Sequence, residues 1–359
     1  MKKYRFSCGC EFAIEDKHVV FVPDIDEIPL DCQRTWDLIS EGDCKGVFQL
    51  DSSFGKSYAK KLKPETIEHL AALGAILRPG SSEAYRDGKS VTDHYIDRKN
   101  GQEAVTYFHP SLEPILKDTY GEMIYQEQAT LIAQQLAGFD LAEADSLRKA
   151  IGKKKADLMA KMKDKFLKGC KKVGILTEDE AEQIFGWIEK SQRYSFNKSH
   201  AVSYAMIGYL SAYAKAHFPK HFFKANLMWA HKSPNPLLET KELVYNAKNS
   251  YVEVEPPNFP LLNSNFEIID GKIYFGLENV KGIGQSNITQ MQEYITKLEP
   301  KLGKPRSWTW LDFLIYLAPN VNKAVVRALI ASGSLQHIPG SRRKKLLEFD
   351  TFIKLTDNE

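Results

Sequence analysis

Residues 194–205 read YSFNKSHAVSYA, and the fold class turns on how this stretch is taken. Asn197 and Ser199 are both strong helix-capping residues, and beyond them small residues and tyrosines recur at helical spacing. A helix therefore starts here, and its pattern continues to about residue 230. Upstream, 3.6-type apolar spacing marks further helices near 33–40, 65–76, 122–137, 142–150, 155–172 and 178–191. Thr177 ahead of EDEAEQIFGWI fits a capping box with Glu180 and puts carboxylates in a first turn, where the helix dipole favours them. The chain reads as mainly α.

The flanks differ. Residues 1–30 form a short β-rich lead-in, with KHVVFV at 17–22 as a strand and PDIDEIP as the breaker after it. SPNPLLET at 233–240 breaks the helical run and sets a domain boundary. After it come an amphipathic helix around 239–249 and the short strand YVEVEPP. In FEIIDGKIYFGL, Asp270-Gly271 between alternating apolar residues signals a hairpin. VKGIGQSNITQM at 280–291 precedes helices near 308–317 and 322–332, and the basic tail carries a helix over 341–349. The organisation is thus a lead-in (1–30), a helical domain (31–232), a smaller region (233–340) and a tail (341–359).

A chain of 359 residues holds two or three domains, and 43% hydrophobic with 26% charged residues is the balance of a folded globular protein. No run of 18 apolar residues appears, so a membrane span is not expected. Charge and cysteine interrupt MKKYRFSCGCEF before any apolar core forms, which excludes a secretory signal and implies a cytoplasmic address. Cysteines stand at 8, 10, 32, 44 and 170 and are expected as thiols. Cys8 and Cys10, with Cys32 and Cys44, offer four thiolates for zinc, although the spacing matches no common zinc pattern. Plain reduced cysteines are the other reading. The net charge of +3 hides an asymmetry: residues 146–172 hold eleven Lys or Arg against Asp157 and Asp164. Such a segment is either the footprint of a polyanion or a solvated helix face.

Several motifs carry chemistry. In VKGIGQSNI, Gly282 and Gly284 allow a tight turn, and amides at the start of the following helix can face a phosphate, with Lys281 beside them and Ser286 ready to cap. Such a turn can bind a DNA backbone without reading sequence; a plain glycine turn is the other reading. RKAIGKKKADL places Arg148 and Lys149 at a helix end and Lys153, Lys154 and Lys155 across a glycine break. Three consecutive lysines cannot share one helix face but can converge from a connector. Arg78, before a Pro-Gly turn, is either a fixed cation or the partner of a carboxylate. His200 falls in a first helical turn next to Lys198. The positive potential there disfavours the imidazolium and a zinc-ligand role, and suits a neutral hydrogen-bond donor to phosphate or sugar.

Taken in order, GVFQLDSSFGKSYAKKLKPETIEHLAALGAILRPG, HPSLEPILKDTYGEMIYQEQ, LAEADSLRKAIGKKK, FGWIEKSQRYSFNKSHAVSYA and FGLENVKGIG resemble the bacterial C-family replicative polymerases, the DNA polymerase III alpha subunits. The resemblance runs from about Ile28 to Leu335. It implies a helical fingers domain over 31–232, then a small α+β segment and a tandem helix–hairpin–helix domain that holds duplex DNA. It also implies that Arg78, Arg148, Lys149, Lys153, Tyr194, Asn197, Lys198 and His200 face the incoming dNTP, and that Lys154, Lys155, Lys281, Gly282, Gly284 and Ser286 face primer-template DNA. The family's catalytic carboxylates lie in a palm ahead of this region, preceded by a PHP phosphoesterase domain. Neither is expected in this sequence, since Asp24 and Asp26 fall in the linker position. The palm is expected on a separate chain, with magnesium arriving with the dNTP in the assembled polymerase. Two alternatives stand beside this: a non-catalytic DNA-binding or replisome-interaction protein, and a metal-dependent phosphoesterase built on Asp24, Asp26 and the N-terminal cysteines.

Overall fold

The computed structural model describes all residues except 1, 6, 16–17, 21–27, 78–83, 154–155, 192–193 and 357–359. For 2–4, 12–15, 18–20, 151–153, 156–157 and 356 it describes the backbone alone. The chain is mainly α and forms two compact units, Met1–Ala216 and His217–Glu359. The division falls between Ala216 and His217, just ahead of the Phe218-Pro219 step. A residue before proline is pushed out of the α region, and Phe218 sits at φ −128, ψ 53. What read as one helix over 199–230 is therefore two, Lys198–His217 and Pro219–Trp229.

The first unit opens with a three-stranded antiparallel sheet of Lys2–Arg5, Glu11–Glu15 and His18–Val20, in sequence order. Tyr4 pairs with Phe12, and Ala13 with Val20. The helices that follow include Gln33–Ser40, Ser53–Leu62, Ile67–Ile76 and Val91–Lys99. The second and fourth of these were not read from sequence, although only Val91–Lys99 has weak apolar periodicity. They are held by Ser52 and Ser90, whose side chains accept from the N–H groups of Gly55 and Asp93.

Four longer helices, Gln126–Ala137, Leu141–Lys153, Ala156–Val173 and Glu178–Ser191, build the main core of this unit. Each turns one stripe inward: Ala129, Ile132, Ala133 and Leu136 on the first, and Met159, Phe166 and Cys170 on the third. Gly169 lies against the backbone carbonyl of Ala137, where a Cβ would collide. Thr177 and Glu180 form the expected capping box, with the Thr177 N–H donating to Glu180 Oε2 at 2.8 Å. The helix Lys198–His217 buries Ala201, Ala205, Tyr209, Ala212, Tyr213 and Ala216, a helical stripe of small residues and tyrosines.

In the second unit Pro219–Trp229 packs on Pro236–Asn249. A small sheet follows in the order Val254–Glu255, Lys272–Tyr274, Glu267–Ile269. The hairpin closes through Asp270 and Gly271, both at positive φ (50° and 80°), the geometry that Asp-Gly turns provide. The helices Gln285–Leu302, Lys323–Ser332 and Arg342–Thr356, with the helical run 310–320, enclose a core that includes Phe313, Leu317, Val326, Leu329 and Phe349. The basic tail is thus a core helix. Its Lys345 is buried, and its ammonium donates to the carbonyls of Leu335 (2.8 Å) and Ile338 (2.5 Å).

Candidate functional sites

The turn at 194–200 is stitched to residues 119–128. Phe196 pairs with Tyr125 in a parallel bridge, its N–H donating to the Ile124 carbonyl (2.8 Å) while its carbonyl accepts from Gln126 (2.9 Å). The polar residues of TYGEMIYQEQ hold this in place. Gln128 Oε1 accepts from the N–H groups of Ile124 and Tyr125, both at 2.9 Å, and its amide donates to Thr119. Buried Glu122 takes Arg86 and Arg98. Glu127 reaches across: one carboxylate oxygen accepts from the Asn197 amide (2.9 Å) and the other from the Lys198 N–H (2.9 Å). Asn197 caps the helix, its Oδ1 accepting from the His200 N–H at 2.8 Å.

The end of the 198–217 helix is thereby only partly open to an anion, because Glu127 already holds one first-turn amide and the cap another. The side chains of Lys198 and His200 remain exposed. The His200 imidazole lies between the Phe196 and Tyr204 rings, with centroids 5.3 and 4.0 Å away. It borders a cavity of about 500 Å³ whose walls include Phe48, Phe54, Leu70, Phe196 and Tyr204. Phe48, Phe54 and Tyr204 are all more than a third exposed, so the cavity presents aromatic faces. Tyr194 does not join them. It is 9% exposed, and burial pushes its phenol up to about 12.

Arg148 and Lys149 are placed elsewhere, on the helix Leu141–Lys153, and both pair with Asp145 at 2.7 Å. Asp145 lies three residues before Arg148, within LAEADSLRKAIGKKK, and was not singled out in sequence. Among the described residues, no hydrogen bond or ion pair joins this pair to the 194–200 turn. Lys153 ends that helix, described by its backbone alone, and Arg78, Lys154 and Lys155 lie outside the described residues, as do Asp24 and Asp26. Glu127 and Gln128 were missed because both look like ordinary helix-surface residues in sequence.

In the second unit, Gly282 adopts φ +94, and Gly284 caps the helix Gln285–Leu302. Ile283 and Ile288 are buried, anchoring the turn, whereas Lys281, Gly282, Gly284 and Ser286 are exposed. The Gly284 N–H donates to Asn287 Oδ1 (3.0 Å), leaving the N–H groups of Gln285 and Ser286 with no intrahelical acceptor. A Cβ on Gly284 would meet nothing nearer than Asn287 Oδ1 at 3.9 Å, and its φ of −110 suits any residue. Packing does not require glycine there. The element before the turn is only the 3-10 turn Leu277–Asn279, shorter than the first helix of a full helix–hairpin–helix.

Cys8, Cys10, Cys32 and His217 gather their ligand atoms within 4.8 Å of one another. None of the cysteines is in a disulfide. Cys44, expected in such a set, is instead a fully buried core thiol that donates to the Ile39 carbonyl. Among the described residues, no helix is long and apolar enough to cross a membrane.

Comparison with known proteins places these features in context. Residues 13–174 match the model for the bacterial DNA polymerase III alpha subunit finger domain, and residues 251–345 match a helix-hairpin-helix motif. The DNA polymerase III subunit alpha of Aquifex aeolicus is 40% identical over 336 residues, 93% of this chain and 27% of that protein. Its counterpart in Pseudomonas aeruginosa is 36% identical over 341 residues, covering 92% and 28%. That of Bacillus subtilis is 33% identical over 333 residues, again 92% and 28%. The chain therefore spans a little over a quarter of the length of these relatives.

Proposed function

We infer that this chain, which carries the fingers and helix–hairpin–helix regions of the bacterial DNA polymerase III alpha-subunit family, grips an incoming dNTP and duplex DNA for template-directed synthesis. The observation that carries the nucleotide half is the braced turn at 194–200. It holds an exposed histidine in the wall of an aromatic-lined cavity and, two residues before it, an exposed lysine that borders a separate, smaller cavity beside Tyr125 and Glu127. In this reading Lys198 supplies the formal charge for the triphosphate, and His200 donates a hydrogen bond to it. The rings of Phe196 and Tyr204 offer faces for a base or sugar, with Tyr194 beneath as support. Arg148 and Lys149 take part once phosphate displaces Asp145, with Lys153 and Arg78 completing the set. The exposed amides at 285–286, with Lys281 beside them, take the DNA backbone, joined by Lys154 and Lys155.

Nucleotidyl transfer needs carboxylates that hold two metal ions. Among the described residues the one cluster of metal-ligating side chains is soft, three thiols and an imidazole, and does not suit magnesium. In this reading magnesium arrives with the triphosphate and would be held by palm carboxylates on a separate palm-bearing chain.

The test is steady-state primer extension and DNA binding with the assembled polymerase. A hydrogen bond to a charged group is worth about 1.5–3 kcal/mol, so His200→Ala should raise the apparent dNTP dissociation constant about ten- to a hundredfold. DNA affinity should stay nearly unchanged. Equal losses of both would mark His200 as structural, and an unchanged dNTP constant would remove it from the grip. An assembly that binds DNA yet never extends a primer would favour a non-catalytic DNA-binding role.

A further inference from the structure

We propose that Cys8, Cys10, Cys32 and His217 form a structural zinc site that fastens the N-terminal sheet to two helices of the fingers. The four ligands come from three separate places. Cys8 and Cys10 flank Gly9 in the connection between the strands Lys2–Arg5 and Glu11–Glu15, and Gly9 adopts φ +91 with open space around it. The glycine is thus a requirement of the turn that brings two thiols to one side, not of packing. Cys32 is the N-cap of the helix Gln33–Ser40, yet its side chain makes no capping hydrogen bond. His217 is the last residue of the helix Lys198–His217, and that helix, whose preceding residues all lie in the first unit, fixes its position.

The geometry is near what a tetrahedral ion needs. Bonds of about 2.3 Å to sulfur and about 2.0–2.1 Å to nitrogen put tetrahedral donor atoms roughly 3.5–3.8 Å apart. The four donor atoms here already lie within 4.8 Å of each other, so side-chain adjustments of about an ångström close the site. Cys10, Cys32 and His217 are 5%, 3% and 6% exposed and Cys8 is half-buried, so the ion would be shielded. Three thiolates and one imidazole select zinc over magnesium or calcium, and four protein ligands leave no open position, which makes the site structural and not catalytic. The surroundings hold the ligands in place. The Tyr209 hydroxyl accepts from the Cys32 N–H (3.3 Å) and donates to the Pro29 carbonyl (2.8 Å), fixing the backbone that carries Cys32. Tyr213, one helical turn before His217, hydrogen-bonds Cys10.

The sheet of 2–20 is small, and small β-structures with little core are commonly held by a metal. Zinc binding would then be linked to folding of the first unit's N-terminal part. The test is metal analysis of the full chain after exhaustive dialysis, together with cobalt(II) titration of the chain once its metal has been stripped. One zinc per chain is expected, and the cobalt form should show tetrahedral ligand-field bands with thiolate charge-transfer intensity for three sulfurs. Cys10→Ser and His217→Ala should abolish retention, His217→Cys should restore it, and Cys44→Ser should leave it untouched. Should Cys10→Ser fail to fold, the wild-type cobalt spectrum still decides. A chain that stays metal-free after reconstitution, or a cobalt spectrum lacking thiolate bands, overturns the proposal.

Discussion

Glu127 is the residue that most changes the picture of the 194–200 turn. Its two oxygens each accept one hydrogen bond from that turn, so it positions Asn197 and Lys198. It also places a negative charge where a triphosphate is proposed to lie. These two roles predict opposite outcomes for two substitutions. Glu127→Gln keeps one acceptor oxygen and loses the charge, so the apparent dNTP constant should fall several-fold, as expected when one like charge near a phosphate is removed. Glu127→Ala loses both hydrogen bonds and should weaken dNTP binding while lowering stability by about 1–2 kcal/mol. Equal behaviour of the two variants in titrations of the assembled enzyme would show that Glu127 does not face the nucleotide.

At the scale of elements, the sequence was legible wherever a local rule sufficed. The Thr177–Glu180 capping box and the Asp270-Gly271 hairpin formed as read, because each depends on residues within a few positions. The long helices of the first unit followed their apolar stripes. Val91–Lys99 was not legible because its stripe is weak and packing with the Ser90 cap decides it. Ser53–Leu62, by contrast, has a clear stripe of Gly55, Ala59 and Leu62 that its small and lysine residues disguise. The site was legible only in part. Exposed Lys198 and His200 stand out in sequence, whereas the Asp145 that occupies Arg148 and Lys149 shows itself only once the helix is built. Likewise Cys8, Cys10 and Cys32 could be grouped from sequence, but the fourth ligand comes from residue 217, far along the chain. Close packing makes its own prediction. Gly169 lets the helix Ala156–Val173 approach the Ala137 carbonyl, and that backbone atom cannot move aside as a flexible side chain would. Gly169→Ala should therefore destabilise the chain by about 1–3 kcal/mol, an overpacking cost, despite the higher helix propensity of alanine. A melting temperature equal to wild type would mean that the helices separate without cost.

For the molecule as a whole, the question is where positive charge would be available to the DNA proposed as its partner. The segment 146–172 is strongly basic in sequence, and four of its eleven basic side chains are already in ion pairs: Arg148 and Lys149 with Asp145, Lys165 with Glu143, and Lys168 with Asp164. Lys281 is different. It is exposed beside the Gly282–Gly284 turn and makes no ion pair among the described residues. A lysine that neutralises a phosphate releases about one counterion, so log affinity falls with log salt by a slope near −0.9 per contact. Lys281→Ala should accordingly reduce the salt slope of duplex binding by about one, whereas Lys168→Ala, whose charge Asp164 offsets, should change it less. Gly284→Val separates charge from backbone approach. The residue has room and an ordinary φ, so the fold should survive. The branched side chain would hold a phosphate away from the Gln285 and Ser286 amides. Affinity should drop about ten- to thirtyfold, with a nearly unchanged slope and the same loss on unrelated sequences, since backbone contacts carry no sequence information. Titrations at several salt concentrations on two unrelated duplexes distinguish the effects. A Gly284→Val chain with wild-type affinity, or a slope indifferent to Lys281, would move DNA binding away from this turn.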